Sequence, residues 1–474
     1  MKRLFSKALA ITLAVAFHVP ASAGLLEAHP GRWLGEMKIP DGPVLKLGVE
    51  LFKRADGSDW ASVSSPDQLA YDIPVKGIKA SDSGLELDLA FAALKLRWVD
   101  DHFDGEWLQG PAPLALTMQQ VTEFPRKARP QAPKAPFPYR DITLAISSAT
   151  SSATPSNEGV TLGATLSLPH GQKAKPNLVI LIHGSGPGTR DEEVAGHRPF
   201  AVMADHLARQ GVAVLRYDKR GISRSTGDYE NHTLAQLEGD LKAVVMAMKG
   251  RHQFARIGLL GLSEGAQIAA EVAAQQPDAV NFVISLAGTG LPGLDMLMLQ
   301  DRIWAKDHGA NPAEADRLMP YVREYYETIV RHAEVQPRLE ALQALQDRLS
   351  PSDKHLVAAH KMNEGTLSLP WAAKPFLRAS LLADPRLAWR GVRCPVLALN
   401  GGLDHQVPAK ENLAGIVAAL RAGGNRKVEA AELPALNHLF QTAKTGAEDE
   451  YADLDETLSP TVLRRVAQFV GRQR

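Results

Sequence analysis

Cysteine is almost absent from this sequence of 474 residues. The single cysteine, Cys394, directly precedes a predicted buried strand and is expected to be a small core residue. One cysteine excludes an intramolecular disulfide and a cysteine-ligated metal site, and the sequence has no His-Glu-x-x-His motif or comparable ligand cluster. We therefore expect neither a metal nor another cofactor.

Net charge is absent as well, because 53 lysines and arginines balance 53 aspartates and glutamates. This balance gives no electrostatic reason to expect binding to nucleic acid or to an acidic membrane surface. After residue 23, no apolar run approaches the ~18 residues of a membrane span, so stable membrane insertion is not expected. The length predicts two or three domains, and 45% apolar residues are ample for their cores.

The first 23 residues have the pattern of a secretory signal peptide. Basic residues precede an apolar segment over residues 8–17, and residues 21–23 (Ala-Ser-Ala) form an Ala-x-Ala cleavage site. The apolar segment is too short to remain as a membrane span. We expect cleavage between Ala23 and Gly24 and a mature protein in the periplasm or outside the cell.

Residues 24–124 alternate apolar and polar side chains, for example from Leu45 to Leu51. This period of two is typical of half-buried antiparallel strands, and it predicts a separate N-terminal β domain, either a sandwich or a barrel. Residues 125–139 follow with five prolines and several basic residues. Such a composition resists both helix and sheet, so we expect an extended and exposed interdomain linker.

The most specific motif lies at residues 261–265 (Gly-Leu-Ser-Glu-Gly). It follows a short apolar run over residues 256–260 and precedes an alanine-rich helical pattern that reaches Ala274. This order is the strand, sharp turn and helix of a nucleophile elbow, in which the turn exposes a serine hydroxyl to a base. We predict that Ser263 is a catalytic nucleophile.

A second glycine-rich segment follows the buried strand predicted over residues 176–182. It comprises residues 183–188 (His-Gly-Ser-Gly-Pro-Gly), which present backbone N–H groups with little side-chain obstruction. Two such groups can stabilise the oxyanion that forms during acyl transfer. We assign these donors to Ser185 and Glu264, with Gly184 and Gly186 as alternatives to Ser185.

Two further predicted strands precede residues that suit a catalytic triad. The strand over residues 395–400 leads into a loop that contains Asp404, and the strand over residues 427–433 is followed by His438. Ser263, Asp404 and His438 thus occur in the order nucleophile, acid and base, each after a strand. The neighbouring His405 is expected to be a rim residue.

These motifs make residues 140–474 resemble an α/β-hydrolase, and within that group the bacterial serine carboxylesterases close to the serine aminopeptidases. The resemblance implies a mostly parallel sheet and the triad machinery. At Ser223 the sequence departs from the family's Arg-Gly-x-Gly-x-Ser pattern, so a different loop shape is expected there. The matching runs are residues 183–187, 218–221, 261–265, 404–408 and 436–438.

About a hundred residues separate the strand predicted over residues 281–286 from the strand at residue 395. Their periodicity is helical, notably over residues 313–329 and 337–349. We predict a helical cap at about residues 291–390, inserted above the active site.

The expected function is that of a secreted serine carboxylesterase, which cleaves small-molecule esters of small to medium acyl groups through an acyl-enzyme intermediate. A serine peptidase of the same fold, either an aminopeptidase or an oligopeptidase, is one alternative. Acidic cap residues that hold a free amino group, such as Glu314, Glu324 or Glu327, would favour it. A non-catalytic binding protein is the other alternative. The motifs do not specify an oligomeric state.

Overall fold

The computed structural model describes residues 25–81, 83–148, 159–171, 174–365 and 367–473. The predicted signal peptide and its cleavage site lie outside these residues. Across the described ranges, no helix is both long enough and apolar enough to cross a membrane.

The first sheet consists of nine antiparallel strands in the described part of residues 31–121. They follow a short helix, α1 (Leu25–Ala28). The strands are β1 (Gly31–Lys38), β2 (Val44–Lys53), β3 (Asp59–Ser65), β4 (Ala70–Pro74), β5 (Gly77–Ala80), β6 (Gly84–Asp88), β7 (Ala93–Val99), β8 (His102–Leu108) and β9 (Leu114–Val121).

The order of these strands is β4-β3-β2-β1-β9-β8-β7-β6-β5, and only two residues join the edge strands β4 and β5. The sheet therefore curls back towards itself as an open barrel. Trp33, Trp98 and Phe103 meet edge to face inside it, with ring centroids 4.8 to 5.5 Å apart. The predicted N-terminal antiparallel β domain is confirmed.

The second sheet has eight strands among the described residues, in the order β10-β11-β13-β12-β14-β15-β16-β17. The pairings among β12 to β17 are parallel, whereas β11 pairs antiparallel with β10 and β13. The strands are β10 (Tyr139–Ser148), β11 (Val160–Pro169), β12 (Leu178–Ile182), β13 (Ala213–Tyr217), β14 (Ile257–Leu262), β15 (Phe282–Leu286), β16 (Val396–Gly401) and β17 (Val428–Leu433).

Helices cover both faces of this sheet, so β12, β14, β15 and β16 are buried along their whole length. Together with the helices that pack elsewhere, the α-helices of the described residues after β10 are α2 (Pro199–Ala208), α3 (Leu234–Gly250), α4 (Glu264–Gln275), α5 (Gly293–Asp307), α6 (Pro312–Arg331), α7 (Val335–Asp347), α8 (Pro351–Ala359), α9 (Leu369–Ala372), α10 (Pro375–Leu382), α11 (Pro385–Gly391), α12 (Ala409–Ala422) and α13 (Pro460–Gly471).

Helices α5 to α10, here called the inserted helices, have a hydrophobic core of their own between β15 and β16. Val322, Tyr325 and Tyr326 on α6 are fully buried in it. Asn311 and Glu314 form a capping box at the start of α6, which satisfies backbone N–H groups that a helix leaves free at its first turn. The insertion is thus a packed unit, and not a flexible loop.

The proline-rich segment over residues 125–138 forms neither helix nor strand, but it is not exposed throughout. Arg129 is buried, and its guanidinium donates hydrogen bonds to the carbonyls of Ala195 and Ala452. The Gln131 side chain donates to the Leu458 carbonyl at 2.7 Å and accepts the Leu458 N–H at 3.0 Å. The expectation of an exposed linker is wrong at these two positions, because their side chains bind carbonyls of the C-terminal region.

Candidate active site

Ser263 lies at the turn between β14 and α4, with a backbone φ of 54° and ψ of −120°. Residues with a Cβ rarely adopt this conformation, which costs about 1–3 kcal/mol. The turn needs glycine on both sides, because a Cβ on Gly261 would clash with the carbonyl of Gly265, and one on Gly265 with the carbonyl of Ile182. The Ser263 N–H donates to the Leu286 carbonyl at 2.8 Å, which fixes the turn at the carboxyl edge of the sheet.

Asp404 and His438 contact each other at this edge, after β16 and β17. His438 Nδ1 lies 2.9 Å from Asp404 Oδ2 and 3.0 Å from Oδ1. Oδ1 also accepts the backbone N–H groups of Gln406 at 2.9 Å and Val407 at 2.8 Å. The fixed carboxylate favours a proton on Nδ1 and leaves Nε2 as the basic nitrogen.

The structure does not join Ser263 to this pair by a hydrogen bond. Among the described residues, the Ser263 hydroxyl has no hydrogen-bond partner, and its residue lines a cavity. Bonds between a nucleophile and its base are often long before substrate binds and shorten in the complex. His405 is bonded elsewhere, since its Nδ1 lies 2.7 Å from Asp307 Oδ2 at the end of α5.

Ser185 and Glu264, the predicted oxyanion donors, line the same cavity as Ser263. The Gly184 N–H donates to Glu192 Oε1 at 3.0 Å, so it is not free to bind an oxyanion. Within the described ranges, the N–H groups of Ser185 and Glu264 have no hydrogen-bond partner. This geometry favours Ser185 over Gly184 as the donor from the loop.

Lys219, a residue to which the sequence pattern assigned no role, lies behind residues 183–188, here called the oxyanion loop. It is 3% exposed, and its Nζ donates to the carbonyls of Gly184 at 2.7 Å and Gly186 at 3.0 Å. Its Nζ is also 3.4 Å from Glu264 Oε1. The sequence feature that could have indicated a role is a lysine only two residues after the buried strand β13, because lysine is rarely buried unless it is paired.

Glu192 is a second residue that the sequence analysis missed. Burial raises its pKa to about 7, and its Oε2 has no partner among the described residues. Its negative charge raises the pKa of His438, as the charge of Glu448 does. Burial by itself lowers the pKa of His438, but the charge and hydrogen bond of Asp404, together with these two carboxylates, raise that pKa above its ordinary value of 6.5.

The loop after β13 is held by two bidentate ion pairs. Arg190 binds Asp218 at 2.5 and 3.0 Å, and Arg220 binds the buried Asp240 at 2.7 Å through two nitrogens. Ser223, where the sequence departs from the family pattern, has a φ of 48°. A non-glycine residue thus occupies the left-handed region at this position.

A cavity of about 220 Å³ opens beside Ser263, between the sheet edge and the inserted helices. Its walls are mainly apolar and include Met296, Leu297, Trp371, Phe376 and Leu377. Of the side chains that line it, only that of Glu264 is ionisable, and this carboxylate lies against Lys219.

The three acidic residues considered for amine recognition do not line this cavity. Glu314 caps its own helix through the N–H of Asn311, and Glu324 pairs with Arg348 at 2.7 Å. Glu327 is exposed on α6. Among the described residues, no carboxylate of the inserted helices lines the cavity beside Ser263.

A serine on a strand-to-helix turn, followed in the chain by an acid and a histidine in mutual contact, defines an α/β-hydrolase. Residues 178–440 match the family described as serine aminopeptidase, S33. Because the match covers more than half of the chain, the protein belongs to this family and is a hydrolase. The resemblance inferred from the sequence motifs is thereby confirmed.

The chain is also similar to Esterase EstD from Thermotoga maritima, with 25% identity over 281 residues. That alignment covers 59% of this chain and 58% of EstD, so the chain spans somewhat more than half the length of this relative.

Two solved structures illustrate the wider similarity. Est1E from Butyrivibrio proteoclasticus with bound ferulic acid is 21% identical, with a TM-score of 0.40, and the alignment covers 66% of this chain and 96% of that one. Proline iminopeptidase from Mycobacterium smegmatis is 18% identical, with a TM-score of 0.41 and coverage of 70% and 98%.

Proposed function

We propose that the protein is a serine carboxylesterase that hydrolyses small-molecule esters of small to medium acyl groups. The observation that carries this proposal is the position of Ser263, which stands on a strained turn beside an apolar cavity. The buried Asp404–His438 pair at the same sheet edge supports a catalytic role over a binding role.

Acylation begins when Ser263 Oγ attacks the ester carbonyl carbon and His438 Nε2 accepts the hydroxyl proton. The carbonyl oxygen becomes an oxyanion, which the N–H groups of Ser185 and Glu264 stabilise. The bond to the alcohol oxygen then breaks, and His438 donates its proton to the leaving alcohol. Asp404 keeps the imidazole in the required tautomer and stabilises its protonated form.

Deacylation repeats these steps with water as the nucleophile. His438 accepts a proton from the water, which attacks the acyl carbon, and the same oxyanion donors act again. Ser263 regains its proton when the carboxylic acid leaves.

We further propose that the inserted helices act as a cap over the active site. Trp371 and Phe376 would contact the acyl or alcohol part of an ester, because they line the cavity beside Ser263. An uncharged ester suits such a wall better than a substrate with a free ammonium group, which needs a nearby carboxylate. The apolar wall therefore favours the esterase over the aminopeptidase.

We also propose that the protein is exported with residues 1–23 as a signal peptide, on the basis of the sequence pattern alone. N-terminal sequencing of the exported protein tests this, with Gly24 as the expected first residue.

Ester hydrolysis is expected to exceed amide hydrolysis by at least ~10²-fold in kcat/KM. An amine leaving group must be protonated and the amide distorted out of resonance, which requires closer positioning than an alkoxide needs. Matched p-nitrophenyl esters and p-nitroanilides, with acyl chains of about two to eight carbons, provide the comparison. Equal or faster cleavage of the anilides would favour the peptidase instead.

The pH dependence of kcat/KM is expected to show an acid limb with its midpoint above the ordinary histidine pKa of 6.5. Activity falls as pH drops through the raised pKa of His438, because the imidazolium cannot accept the Ser263 proton. Glu448→Gln removes a negative charge that favours the imidazolium, so the midpoint should move to lower pH. Asp449→Asn changes the exposed neighbouring residue and should leave the midpoint in place. An unmoved midpoint in Glu448→Gln would contradict the assignment of the acid limb to His438.

A further inference from the structure

We propose that Lys219 is a positioning residue that aligns both halves of the oxyanion hole. This inference rests on the proposed esterase function. Lys219 does not line the cavity, so we assign it no contact with substrate. Its effect would be exerted through the two backbone N–H groups that bind the oxyanion.

The peptide unit between Gly184 and Ser185 supplies the first donor of the oxyanion hole. The carbonyl of Gly184 and the N–H of Ser185 belong to this one planar group and point in opposite directions in a trans peptide. Lys219 Nζ binds the carbonyl at 2.7 Å and therefore fixes the direction of the N–H. An ammonium bonded to the carbonyl also polarises the peptide, which strengthens the N–H as a donor.

Further bonds hold the rest of the oxyanion loop to the same residue. Lys219 Nζ binds the Gly186 carbonyl at 3.0 Å, and the Lys219 N–H donates to the Gly188 carbonyl at 3.0 Å. One lysine thus binds three carbonyls within five consecutive residues. Rotation of the Gly184–Ser185 peptide would break the bond to the Gly184 carbonyl, and the other two bonds hold the residues that follow it in the loop.

Glu264, whose N–H is the other proposed donor, is also in contact with Lys219. Glu264 is the first residue of α4, and its Oε1 lies 3.4 Å from Lys219 Nζ. The ammonium is therefore shared by the loop of Ser185 and the helix start of Glu264. Because it is buried, water screens these interactions little.

The backbone of Lys219 is fixed by contacts that do not involve its ammonium group. The Ile222 N–H donates to the Lys219 carbonyl at 3.0 Å, and the neighbouring Asp218 and Arg220 form the bidentate pairs described above. Arg54 of the β domain donates to the Gly221 carbonyl at 2.7 Å. Replacing the ammonium alone should therefore leave the surrounding loop in place.

The experiment compares Lys219→Met with the wild type on p-nitrophenyl acetate. Methionine keeps an unbranched chain but has no ammonium. We expect kcat to fall by about 10²-fold, the size of effect found when one oxyanion donor is lost, with KM nearly unchanged. Lys249→Met removes an exposed lysine that also binds a carbonyl, and it should leave both constants unchanged.

A trifluoromethyl ketone provides a readout that general structural damage would not produce. It forms an oxyanion with the active serine, so its inhibition constant in Lys219→Met should rise by the same factor by which kcat/KM falls. The inhibition constant of a ground-state ester analogue should stay constant. Equal weakening of both inhibitors, or normal kcat, would overturn the inference.

Two outcomes separate this inference from the proposed function. A wild type without esterase activity would refute the proposed function, whereas an active wild type with an equally active Lys219→Met variant would refute only the role of Lys219. If circular dichroism shows that Lys219→Met is unfolded, Lys219→Arg is measured in its place. The arginine keeps the charge but changes the geometry of the head group. We therefore expect a higher inhibition constant for the trifluoromethyl ketone and an unchanged one for the ground-state analogue. Unchanged inhibition constants for both would overturn the inference.

Discussion

Replacing Ser263 with alanine is expected to lower kcat for ester hydrolysis by on the order of 10³-fold or more. The substitution removes the attacking oxygen, and water positioned by the remaining groups is a far poorer substitute. Thermal unfolding should not change, because the hydroxyl has no hydrogen-bond partner among the described residues and alanine keeps the Cβ and the strained backbone. Steady-state kinetics and a thermal melt measure the two effects.

Ser285→Ala is the matched control for this variant. Ser285 lies at the same sheet edge, and its buried hydroxyl also has no partner within the described ranges. The control should keep normal turnover. A fluorophosphonate should label the wild type and Ser285→Ala but not Ser263→Ala, and near-normal turnover of Ser263→Ala would exclude Ser263 as the nucleophile.

Asp404→Asn is expected to cause a loss of similar size, on the order of 10³-fold in kcat, although it changes little in shape. Two backbone N–H groups bind Oδ1 of Asp404, so the asparagine must keep its carbonyl oxygen there. Its NH₂ group then replaces Oδ2 beside His438 Nδ1. When Nδ1 accepts a hydrogen bond from this NH₂ group, the ring proton lies on Nε2, and Nε2 cannot accept the Ser263 proton.

Asp307→Asn is a stringent control, because Asp307 makes an equivalent contact with Nδ1 of His405. This substitution changes the same atoms in the same type of pair on the rim and should leave kcat within about twofold. Comparable losses in the two variants would show that a rim carboxylate matters as much as Asp404. Normal turnover of Asp404→Asn would remove it from the mechanism.

The elbow and the positions of Asp404 and His438 could be read from the sequence because they depend on local patterns. The predicted strand over residues 395–400 corresponds to β16, and that over residues 427–433 corresponds to β17, within one residue at each end. Glycines in a sharp turn reflect a backbone requirement that does not depend on distant partners. These features are therefore visible in the sequence itself.

The roles of Lys219 and Glu192 could not be predicted in this way. The Lys219 ammonium binds a carbonyl 35 residues earlier in the chain, and only the pairing of β12 with β13 brings the two together. Burial beside the oxyanion loop is the main cause of the raised pKa of Glu192, and the charge of Glu264 adds to it. Both effects arise from tertiary contacts, which periodicity and spacing do not encode.

The segment over residues 125–138 has a consequence for how such domains can be exchanged in evolution. The composition of this segment predicts an interdomain linker, yet Arg129 and Gln131 bind the part of the chain that follows His438. A recombination event that joined a foreign N-terminal domain at β10 would discard these side chains, and the carbonyls of Ala452 and Leu458 would lose these donors. A boundary drawn at β10 would therefore cut through contacts that Arg129 and Gln131 make with the C-terminal region.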